Sequence, residues 1–129
     1  MINVFCYYFG VGGWASYAKG FVSALNRYED VALVSWTQPQ HEYELSPEVE
    51  VMLENGGKLT EKNAGIGIGP MEIMPGIIGR SKIAYTFWET TRIPGEKLDC
   101  LQNADMVWVP STWGKTVLVE NGVDEKKLR

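Results

Sequence analysis

The residues best suited to chemistry in this chain fall in two stretches, Gly10–Ala15 (GVGGWA) and Trp88–Arg92 (WETTR). Glu89 follows an apolar run, where a carboxylate can accept hydrogen bonds from ligand hydroxyls or act as a general base. The plainer alternatives are a solvated loop carboxylate or a partner for Arg92. Arg92 itself suits a phosphate or a carboxylate, and Thr90 adds a hydroxyl between them. Trp88 and Trp113 offer flat faces for a planar or ring-shaped ligand, or else pack under helices. His41 is the single histidine and so a second acid–base candidate. With no Cys or His companions it makes no zinc site of the usual spacing, and no metal is expected.

GVGGWA fits the spacing G-x-G-x-x-G/A of a dinucleotide cradle. That cradle also needs an acidic residue about 20 positions on, closing the second strand, to hold a ribose. The second strand ends Val34-Ser35-Trp36 without one, and Asp30 stands at its wrong end. No Gly-Lys-Ser/Thr follows the glycines, which excludes a P-loop. A tight strand-to-helix turn accounts well for one glycine but poorly for three glycines within four residues. Bare amides opening a helix favour an anionic or hydroxyl-rich ligand approaching the backbone.

Positioning these groups requires strands that end where the two stretches begin. Ile2–Tyr8 (INVFCYY) is apolar on both faces, as in a parallel sheet covered on each side. Apolar residues then recur at helical intervals from Trp14 to Tyr28, and Val31–Trp36 reads as the second strand. Ser46-Pro47-Glu48 is an N-cap, a first-turn proline and an acidic first turn, opening a helix that Gly56-Gly57 closes. Ala64–Gly69 is a third strand weakened by glycine, and Met71–Gly79 a loop or single helical turn. Lys82–Trp88 and Asp105–Val109 are strands four and five. Helices are expected over Pro94–Asn103 and Ser111–Glu120, the latter stopped by Asn121-Gly122. This alternation predicts one doubly wound, mainly parallel α/β sheet with helices on both faces. In such sheets ligands sit beyond the carboxyl ends of the strands, where strand order reverses. With the order 3-2-1-4-5, the glycine turn and WETTR would be direct neighbours there.

The 129 residues suffice for one cored domain, and 45% hydrophobic with 22% charged residues is ordinary globular composition. A net charge of −4 without a basic cluster argues against nucleic acid. No apolar run approaches a membrane span, and the N-terminus reads as a strand rather than a leader. Cys6 and Cys100 form no motif and read as reduced, buried thiols of a cytoplasmic protein.

Two blocks carry a resemblance: FGVGGWASYAKGFVSALNRY, and YTFWETTRIPGEKLDCLQNADMVWVPSTWGKTVLVENGVDEKKL. Together they resemble the N-terminal domain of GT-B-type retaining glycosyltransferases of group 1 (glycosyltransferase family 4). The resemblance covers roughly half the chain by matching of motifs. In that family two Rossmann-like domains face each other across a cleft; the first receives the acceptor and the second binds the nucleotide sugar. What the resemblance implies is that Gly12 and Gly13 offer backbone contacts and Trp14 shapes the helix start. Trp88, Glu89, Thr90 and Arg92 would lie in the acceptor half, and Ser111 would cap the last helix. Residues 1–129 would then be the acceptor-side domain, with no cofactor beyond the nucleotide-sugar co-substrate, and without the donor-binding domain. Such a chain is expected to fold, to be inactive alone, and to self-associate through an open aromatic face. Two readings stand beside it: a non-catalytic α/β binding or interaction module, and a fragment of an NAD-dependent enzyme.

Overall fold

Five β-branched and apolar segments form a single parallel sheet in the computed structural model, which describes residues 1–40 and 44–129. The strands are β1 (Ile2–Cys6), β2 (Val31–Ser35), β3 (Ala64–Ile68), β4 (Ser81–Tyr85) and β5 (Met106–Trp108). The helices between them are α1 (Gly13–Leu25), α2 (Pro47–Gly56), α3 (Gly95–Asp99) and α4 (Thr112–Glu120). The chain is a single α/β domain of Rossmann-like architecture. Side chains of β1 alternate between two cores, as a strand buried on both faces requires. Val4 and Cys6 join α1 and α2 on one face, with Val22 and Met52 among the partners. Phe5 joins the segments around α3 and α4 on the other, against Met74, Leu101 and Leu118.

The strand order is β2-β1-β3-β4-β5, which corrects the expected 3-2-1-4-5. β3 inserts between β1 and β4, so the reversal of strand order falls between β1 and β3. The glycines of β3 explain how this works. Asn3 pairs in register with Gly65, and Phe5 with Gly67. The connection to β4 lies flat on those glycines. It is a 3₁₀ helix, Met71–Gly76, continued through Ile77 and Ile78. A Cβ on Gly67 would lie 2.7 Å from Ile77 Cδ1 and 2.8 Å from Met74 Sδ. Glycine here serves close backbone approach rather than weakening the strand.

Several segments are shorter than their patterns imply. β1 ends at Cys6 rather than Tyr8, because the chain turns with Gly10 N donating to the Tyr7 carbonyl at 3.3 Å. β4 ends at Tyr85, although Thr86 N still donates to the Trp108 carbonyl. The stretch Pro94–Asn103 contains one α-helical turn and then winds tighter. Leu101, Gln102 and Ala104 donate to carbonyls three residues back, a 3₁₀ pattern.

Helix ends follow the sequence signals closely. Ser46 Oγ accepts from Val49 N, and Ser111 Oγ from Gly114 N at 3.0 Å. Gly122, with φ 97°, lets Val123 N reach the Leu118 carbonyl at 3.0 Å, closing α4 in a Schellman turn. Ser111→Ala should therefore lower stability by about 1 kcal/mol, read as a shifted urea midpoint at unchanged slope.

Edge strand β2 is covered rather than left open. Asn55 Nδ2 donates to the Val31 carbonyl at 3.2 Å, and Gly56 lies against the Leu33 carbonyl. At the opposite side the chain end runs parallel to β5. Arg129 N donates to the Val107 carbonyl at 3.0 Å, and Val109 N to that of Arg129 at 3.1 Å. No helix among the described residues is long and apolar enough to cross a membrane.

Candidate functional site

Three loops meet beyond the carboxyl ends of β1, β3 and β4, at the reversal of strand order. They enclose a cavity of about 310 Å³ lined by Trp14, Pro70–Glu72, Phe87–Thr90 and Lys97. Each wall has a local cause. Gly12 adopts φ 99° and ψ −172°, a conformation that L side chains rarely adopt, and so turns β1 abruptly into α1. That turn sets Trp14 at the start of α1, stacked on Phe87 with centroids 4.6 Å apart and planes at 22°. The stack joins the first sequence stretch to the second and forms one aromatic wall.

The WETTR loop folds on its own hydrogen bonds. Trp88 Nε1 donates to Thr90 Oγ1 at 2.8 Å and to the Arg92 carbonyl at 2.7 Å. Thr90 Oγ1 in turn donates to the Arg92 carbonyl at 3.1 Å. The residue that caps the end of α4 holds the loop from behind. Asn121 Nδ2 donates to the Thr91 carbonyl, and its Oδ1 accepts from Ile93 N. The polar atoms of Trp88 and Thr90 are thus engaged in holding the loop. The Glu89 carboxylate has no hydrogen bond or ion pair among the described residues and is exposed on the cavity wall. On the same lining, Lys97 of α3 pairs with Glu72 of the 3₁₀ helix, pinning these two segments together.

Four of the sequence candidates, Trp14, Trp88, Glu89 and Thr90, therefore come together on one cavity. Gly12 and Gly13 shape the turn but do not line it, and Arg92 contributes its carbonyl to the loop while its guanidinium stands outside. Trp113 is half-exposed at the start of α4, also outside the cavity. His41 lies outside the described residues. Cys6 is buried, and desolvation pushes its thiol up to about 12, so it stays protonated and inert at neutral pH. Cys100 is only half-buried, less than was expected of it. No group of three or more His, Cys, Asp or Glu able to hold a metal occurs among the described residues.

Sequence reasoning missed Glu72, Lys97 and Phe87. The signal for Glu72 existed: the loop after a strand flanking the reversal should line the site. It was lost with the strand order, since β3 was placed at the far edge. Lys97 carried no signal, because a lysine on a short surface helix is commonplace. Comparison of the chain with protein-family models, with curated proteins and with solved structures finds no match.

Proposed function

We propose that this domain is the acceptor-side half of a glycosyl-transfer cleft, with a nucleotide-sugar donor held by a second domain. The observation that carries the reading is the cavity where Trp14, Phe87 and Trp88 wall a carboxylate, Glu89, that has no partner of its own. Aromatic faces beside an unpaired acceptor are what a sugar ring needs, apolar C–H faces against π surfaces and hydroxyls against a carboxylate. The motif resemblance of the GVGGW and WETTR stretches points the same way. Glu89 accepts a hydrogen bond from an acceptor hydroxyl and is the candidate general base. A retaining transfer also requires electrostatic stabilisation of the leaving diphosphate. No residue of the cavity is free to supply it, since Lys97 is paired with Glu72 and Arg92 stands outside. The chain alone binds and positions, and a second domain completes the reaction.

Titration with methyl glucoside, followed through the tryptophan indole N–H signals by NMR, tests this. Binding is expected in the millimolar range. Trp14→Ala should weaken it about tenfold, by loss of one stacking wall, while Trp14→Phe retains most of it. Tight NAD binding would overturn the reading in favour of a dinucleotide enzyme fragment. Turnover of a nucleotide sugar by these 129 residues alone would overturn the half-site. An interaction module is the second reading, favoured by Trp36 and Trp113, each about half-exposed (49% and 50%) away from the cavity.

A further inference from the structure

The charges on the cavity wall are unequal and differently committed. Among the described residues, Glu72, Glu89 and Lys97 are its ionic groups, so carboxylates outnumber ammonium. The Lys97 ammonium is held by Glu72 and is partly buried, with its side chain 23% exposed. Glu89 has no counter-charge among the described residues. An anionic ligand would meet an unpaired like charge at Glu89 and would have to separate Lys97 from Glu72 to gain a partner. A neutral or cationic ligand meets neither obstacle. Low-dielectric aromatic walls strengthen this contrast, and exclusion by a like charge is an effective route to specificity.

From this asymmetry we infer that the cavity selects neutral or amino-bearing sugars and rejects phosphorylated or carboxylated ones. The selection rests on the carbohydrate reading above and goes beyond it by specifying the charge of the ligand. The Glu72–Lys97 pair is the specificity element, because it withholds the one cation among the described wall residues. Arg92, whose guanidinium lies outside the cavity, takes no part.

The test compares methyl glucoside, protonated glucosamine and glucose 6-phosphate on the folded 129-residue chain, with Trp indole shifts as the readout. The first two should bind at least about tenfold more tightly than the phosphate, the size expected for one unpaired like charge near the protein surface. Glu72→Gln releases Lys97 and should improve glucose 6-phosphate binding about tenfold relative to methyl glucoside measured on the same variant. Arg92→Ala should change neither. Both variants alter exposed side chains, and unchanged amide spectra elsewhere would verify the fold. Equal or tighter binding of the phosphate by the unaltered chain would overturn the selection alone, as would an unchanged preference in Glu72→Gln. Dependence of any phosphate binding on Arg92 would also overturn it. Silence with all three sugars would overturn the carbohydrate reading and this inference with it.

Discussion

Gly65→Ala should destabilise the domain by about 3 kcal/mol, the upper part of the range for overpacking a closed core. An added Cβ would sit 2.5 Å from the Ile78 carbonyl oxygen and 2.8 Å from Ile77 Cγ2. The first of these atoms is backbone, so no rotamer change relieves the contact. The connection to β4 would have to lift off β3, exposing the packing of Met74 and Ile77 in the core beneath α3 and α4. Gly20→Ala is the internal control. Gly20 lies within α1 with nothing within 4 Å of the added carbon, so it should gain roughly 0.5–1 kcal/mol from helix propensity alone. Urea unfolding of the two variants should shift the midpoint in opposite directions. Equal shifts would show that β3 does not lie against its connection.

Replacing Asn3 by Leu should cost about 3 kcal/mol, although Leu is the more hydrophobic residue and the site is fully buried. Asn3 Nδ2 donates to the carbonyls of Thr60 and Ile78, both at 2.9 Å, and Oδ1 accepts from Asn63 Nδ2 at 3.0 Å. One side chain in β1 thereby ties down the turn before β3 and the chain leaving the 3₁₀ helix. Leu leaves those partners unpaired. Asp should be no better, since a carboxylate facing two carbonyl oxygens offers no donor. Chemical denaturation checks the magnitude. Amide exchange should localise the damage to Thr60–Asn63 and Ile77–Arg80, away from the cavity.

These two residues mark where sequence reading stops. Asn3 falls within Ile2–Tyr8, a stretch that reads as apolar on both faces, and nothing local shows that its three partners come from segments 57, 60 and 75 residues away. Gly65 and Gly67 looked like weaknesses in a strand, because a close-packed neighbour is invisible until the topology is known. In contrast, Ser46, Ser111 and Gly122 announced their helix ends correctly. Capping is settled within four or five residues of chain, where spacing alone fixes the partners.

The candidate site divides along the same line. Local patterns were enough to establish the alternation of strands and helices, the turn at Gly12, and the position of WETTR past a strand's carboxyl end. A right-handed parallel sheet then obliges such loops to gather along one edge. Which loops become neighbours depends on strand order, and that depends on contacts between distant segments. β3 slots between β1 and β4 because its glycines admit the Met71–Ile78 connection flat against the sheet. The insertion brings Glu72 to face Lys97 and leaves Glu89 unpaired beside the Trp14–Phe87 stack. Residue types and their loops were legible from local chemistry; the pairing of charges on the cavity wall arose from packing between segments far apart in the chain.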